Sequence, residues 1–241
     1  MVLLAAAPAR AMVFEEFEVF VPPAAEPGSV DVEQHVNYGF RGRTRMEEER
    51  ALPTERGLYF NTEIGIGVTP WYMLALEIPL AVTADGAAHQ GGLKLRNLFR
   101  FYQADGWSFG LLAELQNQPR GFLPHPWGIA AGPLIAWQGG RWQAVLNLTT
   151  AVSFGERGSE SGFFPAARLM YTASEHVAVG LEYYGDVGRL ERWERGSEQG
   201  HQIFAITELG LGALHLRLGI GRGLTPASDR WVGTMVLGFD F

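Results

Sequence analysis

Apolar and polar residues alternate along one segment after another from Leu58 to the end of the chain. In residues 58–68, for example, one face carries aliphatic and phenyl side chains, and the other includes Asn61, Glu63 and two glycines. A strand places successive side chains on opposite faces, whereas a helix brings together residues three and four apart. Because the segments run for about ten to twelve residues, against about five or six for most soluble strands, the sequence predicts an all-β protein with long strands.

Twelve segments of this kind follow one another, joined by connections that are alternately short and long. Short ones such as Thr69-Pro70 and Gly139-Gly140 alternate with longer polar ones such as 83–91 and 186–200. Tight turns at one end and long loops at the other are typical of bacterial outer-membrane barrels, and an even strand number leaves both chain ends on the periplasmic side. We therefore predict that residues 31–241 form a transmembrane, antiparallel, up-and-down β-barrel of about 12 strands. The predicted strands span residues 31–40, 57–68, 71–82, 92–103, 107–117, 127–138, 141–154, 162–173, 176–185, 201–210, 213–222 and 230–241.

The alternative is a soluble β-sandwich or a lipocalin-like barrel, in which the apolar face points inward. A twelve-stranded barrel is too wide for side chains to fill as a dry core, so its apolar face must meet lipid instead. Aromatic residues also collect near the segment ends, among them Trp71, Trp107, Trp142 and Trp231, as the two interfaces of a bilayer select. These features predict a barrel in the outer membrane of a Gram-negative bacterium, in contact with membrane lipid and lipopolysaccharide.

The final segment, Trp231 to Phe241, is an alternating strand that ends in phenylalanine. This ending resembles the C-terminal strand signal by which bacterial outer-membrane barrels are recognised by their assembly machinery. We therefore expect the barrel assembly machinery to be a partner that binds through Phe241.

Composition excludes several other classes of protein. The 241 residues include no cysteine, which rules out disulfide-stapled modules, zinc–thiolate sites and cysteine nucleophiles. Acidic residues outnumber basic ones by 26 to 19 and Lys94 is the only lysine, so nucleic acid is not an expected partner. No stretch approaches about 18 consecutive apolar residues, the length that a membrane-spanning helix needs. Insertion into a membrane must therefore use strands.

The first part of the chain precedes the predicted barrel. Residues 1–11 form a short apolar stretch ending in Ala9-Arg10-Ala11, the small-x-small pattern of a signal-peptidase site, but they lack a basic start. We interpret them as a truncated signal peptide. Residues 12–30 contain three prolines and are compatible with a periplasmic arm, an insert in the lumen or a disordered segment. We assign them to a periplasmic N-terminal arm.

Ionisable residues recur on the face opposite the apolar one, which in such a barrel lines the lumen. Counting back from the turns makes three oppositely charged pairs cross-strand neighbours: Arg96 with Glu114, Arg168 with Glu182, and Glu208 with Arg217. The sequence therefore predicts a charged belt inside the barrel. The predicted lumen-lining and binding residues are Glu63, Glu77, Lys94, Arg96, Arg100, Glu114, Arg168, Glu182, Glu208 and Arg217.

Two interpretations of this belt are open. In one, ion pairs fill a narrow lumen and the charges are chiefly structural. In the other, the belt is a constriction that orients a small polar or zwitterionic solute. Glu63 and Glu77 fall opposite each other, and these like charges need a cation, which Arg96 or Arg100 is placed to supply, or a shared proton. Twelve strands enclose a lumen between that of a filled barrel of about eight strands and that of a porin of about sixteen, so strand number does not decide.

The sequence carries no motif for catalysis. Gly-x-Ser-x-Gly and His-Glu-x-x-His are both absent, and no serine falls opposite a histidine at a matching height. We therefore expect no catalytic residue, no metal site and no cofactor. An outer-membrane lipid-modifying enzyme is the least favoured of the functions that we consider.

Two stretches, Glu63 to Pro79 and Gly180 to Asp186, resemble segments of a family of bacterial outer-membrane barrels that is named for the meta-pathway of phenol degradation. The resemblance implies the barrel fold and the uptake of aromatic compounds, and it carries no catalytic motif. We therefore expect an outer-membrane channel or porin-like transporter for small polar or aromatic solutes, with a charge-lined lumen. The alternative is a plugged structural or partner-binding barrel without transport.

Overall fold

The computed structural model describes residues 16–23, 25–44, 51–156 and 158–241. The predicted signal peptide at residues 1–11 lies outside the described residues, as do residues 12–15 of the predicted arm. In the described ranges, no helix is long and apolar enough to cross a membrane. Their regular structure consists of β-strands.

Twelve long antiparallel strands form the wall of a closed barrel. Each strand pairs with the next one along the chain, and the first also pairs with the last, which places Val36 opposite Met235. The wall strands have 10 to 17 residues, enough to cross a bilayer at a tilt. They are β1 (Val30–Arg41), β2 (Leu58–Thr69), β3 (Tyr72–Val82), β4 (Leu93–Ala104), β5 (Trp107–Asn117), β6 (Trp127–Gly139), β7 (Trp142–Gly155), β8 (Gly158–Ser174), β9 (Val177–Asp186), β10 (Gly200–Leu211), β11 (Leu214–Gly223) and β12 (Trp231–Asp240), with shorter strands at Ala88–Gln90, Gly188–Arg189 and Arg192–Trp193.

The predicted all-β barrel is confirmed, and almost all strand ends fall within one residue of the prediction. The exception is β8, which begins at Gly158 and not at residue 162. The polar residues Ser159 to Ser161 are of a kind typical of loops, but they pair with β7, and Gly155 lies opposite Gly158. The β7–β8 connection is therefore a tight hairpin.

Three prolines lie inside wall strands, each where pairing to one neighbour stops or skips. Strand β3 stops pairing with β4 two residues before Pro79. The β6–β7 ladder skips Pro133, and β8 stops pairing with β9 next to Pro165. Because proline has no N–H to donate, these interruptions accommodate it without a broken hydrogen bond.

The outer wall is apolar. Aliphatic side chains such as Ile66, Leu95, Ile129 and Leu181 are exposed on it. An apolar band between two aromatic girdles is the surface that a bilayer requires of a barrel, so the polarity of this barrel is inverted relative to a soluble one. Exposed aromatic side chains mark both strand ends: Trp71, Phe101, Trp107 and Trp142 at the end with the short turns (the turn end), and Phe40, Trp127, Phe154 and Trp231 at the opposite end (the loop end).

Two long loops are joined across the loop end. The hydroxyl of Thr54 donates a hydrogen bond to Asp229 Oδ1 (2.5 Å), and the main-chain N–H of Arg43 donates to the same oxygen (3.1 Å). Thr54 and Arg43 lie between β1 and β2, and Asp229 lies between β11 and β12. Leu52 and Phe122 are buried nearby in the apolar interior. The loops therefore cover part of this mouth of the barrel.

Residues 16–23, which we call the insert, lie inside the barrel, and this corrects the prediction of a periplasmic arm for that part of residues 12–30. Glu16 pairs with Lys94 and Arg96 of β4, and Phe17 packs against rings on β9 and β10. The physical reason is the alternation of acidic and apolar residues from Glu16 to Val19. The carboxylates pair with the cations of the lumen, and the apolar side chains pack against the rings of Tyr184 and Phe204. Strand β1 begins at Val30, close to the predicted start of the barrel.

Candidate functional site

The insert enters the lumen at the turn end, where the chain crosses the end of β2. The main-chain N–H of Gly28 donates to the carbonyl oxygen of Gly67 (2.7 Å), and the N–H of Gly67 donates to that of Ser29 (3.0 Å). A Cβ atom at position 67 would collide with the carbonyl oxygen of Glu26. Glycine is therefore needed there for the close approach of the two chain segments.

Deeper in the lumen, side chains of the wall hold the main chain of the insert. Asn147 on β7 accepts a hydrogen bond from the N–H of Phe20 (2.7 Å) and donates one to its carbonyl oxygen (2.8 Å). Arg217 on β11 donates to the carbonyl oxygen of Phe17 (3.0 Å). These contacts join side chains to main chain, so the insert is not a further strand of the sheet.

Apolar packing fixes the inner end of the insert. The Phe17 side chain is only 1% exposed, and its ring centroid lies 4.8 Å from that of Phe204 and 5.3 Å from that of Tyr184. Val19 belongs to the same buried cluster. Burial of one such side chain contributes roughly 1.5–3 kcal/mol. Phe17 is therefore the main apolar anchor of the insert.

Arg96 on β4 is the centre of the larger ionic cluster. Its Nη1 lies 2.9 Å from Glu63 Oε2 and its Nε lies 3.4 Å from Glu114 Oε2, and it also pairs with Glu77 and Glu16. The predicted opposition of Arg96 and Glu114 is correct, as is that of Glu63 and Glu77. Arg96 thus supplies the cation that this pair of glutamates needs.

Lys94 lies beside Arg96 and joins three carboxylates. Its Nζ lies 2.8 Å from Glu77 Oε2 and 3.9 Å from Glu114 Oε1, and it also pairs with Glu16. Asn61 donates a further hydrogen bond to Glu77 (2.6 Å). The carboxylates of Glu16, Glu77 and Glu114 approach one another closely enough to hold a metal ion, but the ammonium of Lys94 already contacts all three. We assign no metal site to them.

A second ionic cluster lies on strands β8 to β11. Glu182 accepts hydrogen bonds from Arg168 Nε (2.7 Å) and from the Tyr184 hydroxyl (2.7 Å), and it also pairs with Arg217. The predicted oppositions of Arg168 with Glu182 and of Glu208 with Arg217 are both correct in register. The ion pairs are distributed differently, because Arg217 pairs with Glu182, and Glu208 lies 3.2 Å from Arg168.

Most of the predicted belt is withdrawn from solvent. Arg100 is the member that joins neither cluster; it donates to the carbonyl oxygen of Pro70 in the β2–β3 turn (2.8 Å). Arg168 and Glu208 keep side-chain exposures of 10% and 35%. The other seven residues are at most 7% exposed: Glu63, Glu77, Lys94, Arg96, Glu114, Glu182 and Arg217.

Sequence reasoning misses the members of the site that precede the barrel. It assigns Glu16, Phe17 and Glu18 to an arm outside the membrane, although all three contact the lumen wall. The signal that could have been used is the alternation of acidic and apolar residues, because it continues the pattern of the strands into a segment that forms no strand. Sequence reasoning also misses Tyr184, whose hydroxyl donates a hydrogen bond to Glu182. The signal that could have found it is that Tyr184 lies two residues after Glu182 and therefore shares its lumen-facing parity.

A cavity of about 880 Å³ lies between the insert and the turn end. We call it the vestibule. Residues 18–21, 23, 25, 26 and 29–31 line one side of it, and the inner faces of β8 to β12 line the other. Glu63 and Arg96 of the larger cluster lie at its inner end. The lumen is thus filled at the level of the belt and open between the belt and the turn end.

Neither a protein-family model nor a curated protein matches the chain. Solved structures do match. The COG4313 outer membrane channel from Pseudomonas putida F1 superimposes with a TM-score of 0.61 at 10% identity, covering 94% of this chain and 100% of that one. The NanC porin superimposes with a TM-score of 0.57 at 7% identity, covering 88% of this chain and 98% of that one.

At such identities the likeness shows the fold, which is that of a bacterial outer-membrane barrel. With the apolar outer wall and its aromatic girdles, this fold places the protein in a bacterial outer membrane. The predicted link to the family named for phenol degradation stays a prediction.

Proposed function

We propose that the protein is an outer-membrane channel for small solutes, and that the insert obstructs its lumen until it moves. The observation that carries the proposal is how the insert is held. Side-chain hydrogen bonds, ion pairs and the ring of Phe17 fix it in place, whereas the wall is closed by main-chain ladders. The insert can therefore leave the lumen without breaking a hydrogen bond of the sheet.

The solute that we propose is small and either polar or aromatic. Movement of the insert would uncover groups of both kinds: the cations Lys94 and Arg96 with their carboxylate partners, and the aromatic rings of Tyr184 and Phe204. Walls that carry charges of both signs orient polar solutes in a constriction. Aromatic rings add a surface for the apolar part of a solute.

A locked insert provides the test. The chain has no cysteine, so the double variant Phe20→Cys/Asn147→Cys offers one disulfide between insert and wall, where the side chain of Asn147 contacts the main chain of Phe20. Loss of free thiol on oxidation verifies that the bond has formed before currents are compared. We expect the refolded variant to give single-channel currents in a planar bilayer when reduced and to fall silent when oxidised. The same sample in its two redox states is its own control, and the wild type should not respond to oxidant.

A plugged structural barrel is the second candidate, and the burial of the belt favours it. Seven belt residues are at most 7% exposed, as expected if the ion pairs fill the lumen permanently. Silent wild-type and reduced variants that are correctly folded would support this candidate and contradict the channel. Equal currents in both redox states would show that the insert does not control conduction.

We propose no enzymatic activity. The ring of His201 contacts the hydroxyl of Tyr183 (2.6 Å) and the side chain of Gln199 (2.9 Å). Ser228, the serine nearest to it in this network, donates to the main-chain carbonyl of His201 and not to the ring. A nucleophilic serine needs a base that accepts its proton, so this arrangement does not support a lipid hydrolase.

A further inference from the structure

We propose that the vestibule binds an organic cation, namely an amine that carries an apolar body. The inference deepens the proposed function, on which it rests, because the cavity lies between the belt and the turn end, where a solute that crosses the barrel would leave it. Its volume of about 880 Å³ falls in the range of roughly 300–1,000 Å³ that is usual for small-molecule sites.

The charge of the lining selects a cation. Eight carboxylate side chains line the vestibule, against three arginines and two histidines. The arginines are already neutralised: Arg96 by Glu63 and other acids, Arg217 by Glu182, and Arg168 by Glu182 and Glu208. The lining therefore keeps an excess of negative charge, which attracts a cationic solute and repels an anionic one.

Asp31 is the carboxylate best placed to receive the ammonium group. It lies on β1 opposite Gly65 of β2, and a Cβ atom at position 65 would collide with its carboxylate. The glycine thus leaves room for Asp31 to lie against the inner wall, where it lines the vestibule. Among the described residues, Asp31 has no basic side chain within ion-pair distance.

Glu18 marks the inner end of the same cavity. Its Oε2 is buried and accepts no hydrogen bond in the described part of the chain. The nearest basic atoms are Arg96 Nη1 at 3.7 Å and His35 Nε2 at 3.8 Å, both beyond hydrogen-bond distance. An amine N–H is the kind of donor that this oxygen lacks.

Apolar groups on the lining define the rest of the ligand. Phe20 and Val21 of the insert, Leu98 of β4 and Val236 of β12 all contribute to the vestibule. An amine with a phenyl or alkyl body can therefore bury that body while its ammonium stays near the carboxylates. A small inorganic cation would make no use of this surface.

The test compares three probes that share one phenyl body: 2-phenylethylammonium, 2-phenylethanol and 3-phenylpropionate. Each is titrated by calorimetry into the refolded full chain in a sugar-headed detergent, with micelles alone as the blank. We expect the amine to bind about tenfold more tightly than the alcohol and the carboxylate to bind more weakly than either. Added salt should weaken only the binding of the amine.

Two substitutions locate the site. Asp31→Asn should weaken amine binding severalfold and leave the alcohol unchanged, and Glu26→Gln, at another carboxylate of the lining, gives a second reading if the first variant does not fold. Asp85→Asn is the matched control, since Asp85 lies between β3 and β4 at the loop end. It should bind all three probes as the wild type does.

Equal affinity for the three probes, or amine binding that neither Asp31→Asn nor Glu26→Gln weakens, would overturn the proposal. Binding does not require conduction, so the two proposals fail separately. A silent barrel that prefers the amine keeps the vestibule site and loses the channel. A conducting barrel without that preference keeps the channel and loses the site.

Discussion

The wall and the insert of this barrel occupy the same membrane depth but are held by different interactions. In the wall, main-chain hydrogen bonds run from β1 through all twelve strands and back to β1. In the insert, Asn147 and Arg217 bond the main chain from outside it, and Glu16 and Phe17 supply an ionic and an apolar anchor. A closed ladder leaves no edge at which to open, whereas side-chain contacts can be exchanged for water one at a time. This difference is the basis on which we propose a permanent wall and a movable insert.

Removing the insert altogether should have the largest effect on this comparison. A variant without residues 16–23 should still fold into a barrel, because no ladder of the wall passes through those residues. Its channel should stay open almost all of the time, whereas the wild type opens only when the insert moves, since the lumen at the level of Arg96 and Phe204 loses its filling. Planar-bilayer recording measures the open probability, and circular dichroism measures the strand content.

A variant with wild-type strand content and wild-type open probability would show that the wall, not the insert, closes the lumen. Loss of strand content would show that the insert is part of what holds the wall together. Either result would break the division between a permanent wall and a movable insert.

Arg96→Ala should have the next largest effect, because Arg96 belongs to the wall and touches the insert. Its removal leaves Glu63 and Glu77 buried opposite each other without their shared guanidinium. Removing one partner of a buried ion pair typically costs about 3–5 kcal/mol of unfolding free energy. Urea titration in detergent micelles measures it. Arg100→Ala, at the turn end of the same strand, should change the value by no more than about 0.5 kcal/mol.

Repeating Arg96→Ala in the chain without residues 16–23 sharpens the comparison. If Arg96 mainly neutralises the glutamates of the wall, the cost persists in that background. If it mainly binds Glu16, the cost largely disappears. The second outcome would move Arg96 from the stability of the wall to the docking of the insert.

The wall could be predicted from the sequence because the signals that define it come from residues close together along the chain. Period-two alternation defines the strands, and counting from a tight turn fixes which residues face each other, so the turn at residues 104–106 is enough to pair Arg96 with Glu114. Which charged side chains form ion pairs within a cluster depends instead on residues far apart along the chain. Arg217 pairs with Glu182, two strands away, and not with Glu208, its register partner. The reason is that the Tyr184 hydroxyl and the carbonyl oxygen of Phe17 in the insert accept hydrogen bonds from the same guanidinium.

The insert could not be placed for a related reason. Glu16, Phe17 and Glu18 show the same alternation as a strand, but alternation gives only which residues share a face, not the surface that this face meets. The lumen that receives them is built by residues far along the chain, such as Asn147, Phe204 and Arg217. A segment without a turn to count from has no register, so only the assembled barrel shows where it lies.

The smallest expected effect is that of Asn147→Ala, which acts on the insert alone. The substitution leaves the N–H and carbonyl of Phe20 without their partners, and buried main-chain groups without hydrogen bonds cost about 1–3 kcal/mol. The insert should therefore leave the lumen more often, seen as a severalfold higher open probability, while strand content stays unchanged. Asn97→Ala is the matched control, since Asn97 bonds the Tyr72 hydroxyl and the Ala113 carbonyl within the wall. Similar open probabilities for the two variants would mean that wall and insert are not held independently.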